Sequence, residues 1–266
     1  MTDPLTIAGA GLTVLGSKDL LNKLLGPTAD YLGGELKNFV EQCNVNLDNV
    51  FQAAFRKLGA RAGEPGSVNP RILKHVIDEG RFCEDELMVE YLGGVLASSK
   101  SEVSRDDRGT FFLNMISSLS SYQLRTHYMI YAAIVRAGKP RDQNLEYWFE
   151  DNTITVCIPE EGYISSMEYS ETESHDEISY HSFLGLEMKG LVEGGMRVFH
   201  ESHHSEISVP NRLFWPTRYG YELFLWGLGL GNRRASSYFE LDQKTPLPVE
   251  PPFKVLRISL GKMLSM

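Results

Sequence analysis

Residues 68–99, VNPRILKHVIDEGRFCEDELMVEYLGGVLASS, predict two helices joined by a tight turn, and this pair decides the fold. Asn69 can cap the first helix, and Pro70 takes a first-turn position where its missing N–H costs nothing. We expect Gly80 to end the first helix in a left-handed conformation. Apolar residues recur with helical spacing in both halves, at Ile72, Leu73, Val76 and Ile77 and at Leu87, Met88, Tyr91, Leu92, Val95 and Leu96.

Two adjacent glycines interrupt the second helix of this pair. Gly93 and Gly94 follow Leu92 on the apolar stripe, and each glycine inside a helix costs about 1 kcal/mol relative to alanine. We expect the pair to let a neighbouring helix approach closely, with a hinge as the alternative. Leu92, Gly93 and Gly94 are therefore predicted to be structural residues.

The same spacing continues on both sides of the pair. Residues 111–119 predict a third helix, and Ser120 with Gln123 forms a capping-box pattern that opens a fourth, ending near residue 138. Upstream, residues 28–58 predict a long helix with a break at 44–49. Short connectors between similar helices favour an antiparallel bundle.

The helix pair also carries a family resemblance. A Pro-initiated helix ending in acidic residues, followed by DELMVEYLGGVLASS, resembles the core of the bacterial abortive-infection alpha (Abi-alpha) family. The resemblance covers residues 26–137, and its motifs are hydrophobic rather than catalytic. It implies a cytosolic, mostly helical bacterial protein associated with defence against phage, and it transfers no catalytic residue.

Composition limits the function classes. The chain has 266 residues, 42% of them hydrophobic, and a formal net charge of −9. Net acidity disfavours broad binding to nucleic acid or anionic membranes, which requires a basic surface. Three separated cysteines favour reduced thiols in a cytoplasm. Residues 1–25 predict a short amphipathic helix whose apolar run is about half the ~20 residues of a membrane span.

A strongly acidic segment follows the predicted bundle. Residues 142–188 contain twelve carboxylates and no Lys or Arg. Residues 153–158 predict a strand, and residues 165–176 predict a polar linker. An acidic run is usually a solvated face, but it can also steer a basic partner. The candidate interaction residues in it are Glu168, Glu171 and Glu173.

The third part of the chain predicts a helix, two strands and a final helix. The predicted strands are residues 196–200 and 206–209, and Thr217 can cap the last helix. Residues 181–229 resemble the end of a winged-helix unit, although Trp215 and Arg218 depart from its usual turn. Its basic residues are too few for strong phosphate binding: Lys189, Arg197, Arg212 and Arg218.

One cluster in this part has metal-ligand chemistry. On a strand, His200, His204 and Glu206 would share one face and could hold zinc, although a solvated wing is the simpler interpretation. We predict no catalytic residue and no cofactor.

The predicted fold is mainly α: an antiparallel helical bundle followed by a small α+β winged-helix-like domain. The expected divisions are residues 1–66 for the N-terminal helices, 67–140 for the bundle core, and 141–266 for the acidic linker, the winged-helix-like domain and the tail. We expect a non-enzymatic phage-defence protein that binds a protein partner or itself. The alternatives are a winged-helix DNA-binding regulator and an effector that contacts membranes through its N-terminal helix.

Overall fold

The computed structural model describes residues 45–137, 154–199, 210–233, 241 and 244–260. Within these ranges the chain is mainly helical, with one small antiparallel sheet. It divides into two compact units: the first comprises Met1–Ser118 and Trp226–Asn232, and the second comprises Leu119–Leu225 and Arg233–Met266. The mainly α prediction is confirmed. The predictions for residues 1–44 lie outside the described residues.

The first unit is a group of packed helices. Its elements are α1 (Val45–Leu58), a 3-10 turn (Gly59–Gly63), α2 (Pro70–Gly80), α3 (Glu86–Ser98) and α4 (Gly109–Ser117). The predicted pair corresponds to α2 and α3. The backbone N–H of Arg71 donates to Asn69 Oδ1 at 3.0 Å, and that of Met88 donates to Asp85 Oδ1 at 2.8 Å. Both helices therefore begin at a side-chain cap.

Helix α3 is the centre of the first unit. Leu92 is only 1% exposed, and both glycines lie against other backbone segments. A Cβ atom added to Gly93 would lie 2.7 Å from Ala53 Cβ of α1, and one added to Gly94 would lie 1.9 Å from the carbonyl oxygen of Gly227. The predicted close approach at the glycine pair is confirmed.

The prediction for Gly80 is wrong. Gly80 does not have a positive φ, and α2 continues into Arg81, whose φ is −60°. A Cβ atom at Gly80 would lie 3.1 Å from Leu47 Cδ1 and 3.4 Å from Val50 Cγ2 of α1. The glycine therefore serves close packing between two helices rather than a left-handed helix end.

A buried lysine fixes the turn after α1. Lys100 is 6% exposed, and its ammonium donates to the carbonyl oxygens of Arg61, Ala62 and Glu64 at 3.0, 2.9 and 2.7 Å. Burial lowers the pKa of Lys100, but these acceptors satisfy all three of its donors. The lysine thus ties the end of α3 to the 3-10 turn.

The second unit combines helices with the sheet. Its elements are α5 (Ser121–Ala137), β1 (Ile154–Pro159), α6 (Glu160–Ser166), α7 (His175–Met188), β2 (Val192–Phe199), β3 (Asn211–Pro216), α8 (Arg218–Gly227, whose last two residues count with the first unit) and β4 (Arg257–Leu260). The strand order is β2-β3-β1-β4, and every pair is antiparallel.

Helix α5 is the core helix of the second unit, whereas the sequence placed it in the bundle. Its capping box is confirmed: Ser120 N donates to Gln123 Oε1 at 3.0 Å, and Gln123 N donates to Ser120 Oγ at 3.2 Å. The hydroxyl of Tyr131 donates to Leu191 O at 2.6 Å and accepts from Thr217 N at 3.1 Å. Because of these long-range contacts, α5 belongs to the second unit, and the boundary between the two units lies between residues 118 and 119. The sequence placed the boundaries at 66/67 and 140/141.

The structure corrects part of the predicted order after residue 150. β1 confirms the strand predicted at 153–158, and Thr217 caps α8 by accepting from Gly220 N at 3.1 Å. The linker predicted at 165–176 is wrong, because α6, a bonded turn and the start of α7 occupy it. Residues 213–215 belong to β3, which the sequence did not predict. The strand predicted at 206–209 lies outside the described residues.

None of the helices in the described ranges is long and apolar enough to cross a membrane.

Histidine 127 should make stability depend on pH. His127 is fully buried on α5 and donates from Nε2 to Gly220 O at 3.0 Å. Burial lowers the pKa of His127 to about 3, whereas the unfolded chain should protonate near 6.5. The unfolded state therefore binds more protons between these values, and stability falls as pH drops below 6.5. We expect this group to contribute a loss of about 2 kcal/mol at pH 5.

Urea unfolding at pH 7 and pH 5 measures this loss. His127→Gln keeps a donor near the Nε2 position and removes the titration, so its pH-dependent loss should be smaller. The exposed His175→Gln serves as the control and should keep the parent's pH dependence. Equal losses in the parent and His127→Gln would contradict the assignment.

Candidate interaction surface

Helix α7 has a buried side and an exposed side. Ser179, Ser182, Phe183 and Leu186 form the buried side, which faces the interior of the second unit. The opposite side is solvent-facing and half-apolar. It consists of Glu177, Tyr180, His181, Leu184 and Met188, which together are called the α7 face below.

The α7 face combines large exposed apolar groups with negative charge. Tyr180 is 54% exposed and Met188 is 80% exposed, and both lie on the α7 face. Glu177 and the adjacent Asp176 begin the helix, and α7 contains no Lys or Arg. A surface of this composition fits a protein partner better than a phosphate backbone, which carries the same sign of charge.

The turn before α7 is bonded to α5. The guanidinium of Arg125 pairs with the Glu168 carboxylate and donates from Nε to Ser166 O at 2.6 Å. The hydroxyl of Tyr122 donates to Glu173. Two of the three predicted interaction residues therefore have a structural role. The structure gives Glu171 no partner within the described ranges, and it remains exposed.

An aromatic group lies beside these carboxylates. The Tyr169 ring stacks on His175 at a centroid distance of 4.8 Å and lies 5.8 Å from the Tyr122 ring. The Tyr169 hydroxyl also lies 3.0 Å from Ser179 Oγ. Aromatic rings next to carboxylates suit a Lys or Arg side chain, because cation–π attraction adds to the charge interaction.

Neutralising the three glutamates should separate their roles. We expect Glu171→Gln to change the free energy of unfolding by less than about 0.5 kcal/mol, because the side chain is exposed. Glu168→Gln and Glu173→Gln should each cost about 0.5–1 kcal/mol, because the exposed Glu168 loses its ion pair with Arg125 and the half-buried Glu173 loses its charge as the acceptor for Tyr122. Urea unfolding of the three single variants measures the difference. Identical stabilities for all three would contradict the roles assigned to Glu168 and Glu173.

Arginine 212, one of the four basic residues counted from the sequence as possible phosphate partners, is buried. Its side chain is 4% exposed, pairs with the Glu160 carboxylate and donates from Nη1 to Gly195 O at 2.7 Å. The guanidinium also stacks over Tyr163 and Phe183, 5.2 and 5.1 Å from the ring centroids. Arg212 is therefore occupied inside the second unit.

The other three predicted basic residues add little positive surface. Arg218 is exposed but pairs with Glu222 at 3.3 Å, one helical turn away. Lys189 caps the end of α7 and is half-buried. The side chain of Arg197 lies outside the described part of the chain.

The metal candidates His200, His204 and Glu206 lie outside the described residues. Among the residues that the structure describes, no group of three or more His, Cys, Asp or Glu side chains could hold a metal ion. Cys83 and Cys157 are buried, Cys157 Sγ donates to Asn211 Oδ1 at 3.3 Å, and burial raises the pKa of Cys83 to about 12. The Cys83 thiol therefore lacks the low pKa of a reactive cysteine.

Sequence reasoning named the acidic segment as a candidate surface but did not name Tyr180, Leu184 and Met188. Their helical spacing is visible in residues 175–188, where Tyr180, Leu184 and Met188 recur on one side of the helix. This spacing was not recognised as a helix face because residues 165–176, which include the start of α7, were predicted to be a linker.

Comparison with family models, curated proteins and solved structures found no match for this chain. The Abi-alpha resemblance therefore stays a prediction.

Proposed function

We propose that this chain is a non-enzymatic bacterial protein of the phage-defence type that acts in the cytoplasm through protein–protein contact. The α7 face makes this contact. The observation that carries the proposal is the composition of this face, where exposed Tyr180 and Met188 lie beside Glu177 with no basic residue on the helix. Burial of such side chains by a partner provides affinity, and the carboxylates select a partner of opposite charge.

The order of elements in the second unit supports a winged-helix-like arrangement. The chain runs α5–β1–α6–α7–β2–β3, and β3 pairs with both β1 and β2. In helix-turn-helix domains that bind DNA, the second helix of the motif enters the major groove, and α7 is in the corresponding position in the order of elements here. Here that helix is acidic, so we propose that the arrangement presents it to a protein.

A DNA-binding function has less support. Specific duplex binding takes several Lys or Arg contacts to phosphates, and each neutralised phosphate adds to the salt dependence. Arg212 is committed to Glu160, and Arg218 pairs with Glu222. We therefore expect no mobility shift with duplex DNA at physiological salt.

Affinity capture from phage-infected and uninfected bacterial cells tests the proposed contact. The parent chain is compared with Tyr180→Ser/Met188→Ser, which removes the apolar part of the α7 face. Phe82→Ser is the matched control, because Phe82 is also 80% exposed but lies in the first unit. We expect specific proteins to be captured by the parent and the control and lost with the α7 variant.

The same variants test the defence role. Cells carrying the parent or Phe82→Ser should reduce phage plaque formation, and cells carrying the α7 variant should not. Identical captured proteins for all three chains would contradict the proposed contact. A parent chain that gives no protection against any phage in a broad panel would contradict the defence role.

A further inference from the structure

We infer that the partner element bound by the α7 face is an amphipathic α-helix with an apolar stripe and Lys or Arg along its margins. This inference rests on the proposed function, because it names the partner class for the same face. It follows from the spacing, the charge and the chemistry of the exposed side chains on α7.

The spacing on α7 matches the seam of a helix pair. Glu177, Tyr180, Leu184 and Met188 stand at i, i+3, i+7 and i+11, so they line one side of the helix. From Tyr180 to Met188 the rise is about 12 Å, or roughly two turns at 1.5 Å per residue. A partner helix with apolar residues at every third and fourth position can match this length.

The surroundings of the stripe are negative. Asp176 is exposed and Glu187 is half-exposed at the margin of the α7 face, and Glu171 is exposed in the preceding turn. Residues 142–188 contain no Lys or Arg, and the half-buried Lys189 at the C-terminal end of α7 is the first basic residue after them. The complementary partner helix therefore carries positive charge beside its apolar stripe.

The exposed side chains suit this kind of occupant. Methionine is unbranched and adapts to irregular apolar surfaces, which favours Met188 as a contact for a helix of variable sequence. Tyrosine contributes a large rigid area with a polar end and is enriched among residues that dominate binding energy. The Tyr169 and His175 rings offer further positions for a Lys or Arg side chain at the N-terminal end of α7.

The same charges argue against two other occupants. A second copy of this chain would bring the Glu177 and Asp176 carboxylates of both copies together if α7 paired in parallel with α7, and like charges in contact are unfavourable. A nucleic acid or an anionic membrane would likewise bring phosphates to an acidic surface. A basic amphipathic helix avoids both conflicts.

Peptide titration tests this inference on the full-length protein. The probe is a synthetic helical peptide of about 18 residues, with leucines on one face at the spacing of a groove-binding helix and lysines on the margins. Two peptides serve as controls: one has the same composition in scrambled order, and one has glutamates in place of the lysines. Binding is measured by fluorescence anisotropy at 0.15 M salt and again at higher salt.

We expect the patterned lysine peptide to bind the parent and Phe82→Ser equally. Tyr180→Ser/Met188→Ser should weaken its binding by about tenfold or more, as expected for the loss of a dominant apolar contact. Higher salt should weaken binding further, because the Debye length falls from about 8 Å at 0.15 M to about 3 Å at 1 M. The scrambled and glutamate peptides should bind clearly more weakly than the patterned peptide.

Three results would overturn the inference: equal binding of the patterned and scrambled peptides, no effect of the α7 variant, or self-association of the parent that this variant abolishes.

The capture experiment separates failure of this inference from failure of the proposed function. If the peptide fails but captured proteins still depend on Tyr180 and Met188, the partner is a protein surface of another shape. If capture is also independent of these residues, the proposed contact is wrong as well.

Discussion

Gly94→Ala should destabilise the protein although alanine is the better helix former. The added Cβ would lie 1.9 Å from the carbonyl oxygen and 2.3 Å from the carbonyl carbon of Gly227. Backbone atoms cannot rotate away as a flexible side chain can, so α3 and the segment Trp226–Asn232 must separate. Overpacking of this kind costs about 1–3 kcal/mol or more, which exceeds the ~1 kcal/mol that alanine gains in helix propensity.

Urea and thermal unfolding of the variants measure this effect. Gly94→Leu should be destabilised more than Gly94→Ala, because it adds four carbon atoms at the same contact. Gly63→Ala is the control: no atom lies within 4 Å of its added Cβ, and its φ is not positive. We expect Gly63→Ala to be neutral or stabilising by up to about 1 kcal/mol. A Gly94→Ala variant that melts at or above the parent temperature would contradict the close contact.

Arg212→Met should be the most damaging single change in the second unit. It removes both hydrogen bonds to Glu160, the hydrogen bond to Gly195 O and the stacking over Tyr163 and Phe183. The Glu160 side chain is only 12% exposed, so its carboxylate would remain largely buried without its cation. Removing one partner of a buried ion pair typically costs about 3–5 kcal/mol.

Two further variants show whether the lost stability comes from the unpaired Glu160 carboxylate: a double variant that also replaces Glu160, and a variant of an exposed ion pair. Arg212→Met/Glu160→Met should recover much of the lost stability, because replacing both charges with apolar groups removes the unpaired carboxylate. Arg218→Met breaks the exposed Arg218–Glu222 pair and should cost less than about 1 kcal/mol. If Arg212→Met and Arg218→Met prove equally stable, the buried role of Arg212 is wrong.

The Arg212 variants also bear on the DNA alternative. An Arg212 substitution that destabilises the second unit would reduce any binding by this unit for structural reasons. Loss of binding in such a variant would therefore not identify a phosphate contact. Arg218→Met is the cleaner test of a basic contact, because Arg218 is exposed.

The sequence by itself determined where several helices begin. Asn69 begins α2 as a hydrogen-bond acceptor, and the Ser120–Gln123 capping box begins α5, as the sequence predicts. These signals are readable because caps act within three residues of the helix start. The close packing at Gly93 and Gly94 was also predictable, because two glycines inside an apolar helix lower its stability and are best explained by a neighbouring segment that needs the space.

Only the tertiary structure decided where α5 belongs and what the glycines contact. The periodicity of α5 predicts a buried helix, but it is silent about which unit provides the covering residues. The hydrogen bonds of Tyr131 to Leu191 and Thr217 join positions 60 and 86 residues apart. Likewise, Gly80 resembles a helix end in sequence, and only the approach of Leu47 and Val50 shows that it is a packing position.

The candidate surface was predictable in charge but not in shape. The carboxylates of residues 142–188 can be counted from the sequence. Which of them are hydrogen-bonded and which are exposed depends on the packing of α5 against this segment. Arg125 and Tyr122 occupy Glu168 and Glu173, and Arg212 turns inward because Glu160 and Gly195 O offer a buried partner and acceptor. Long-range partners of this kind leave no local pattern in sequence, because the chain brings them together only when the sheet and helices pack.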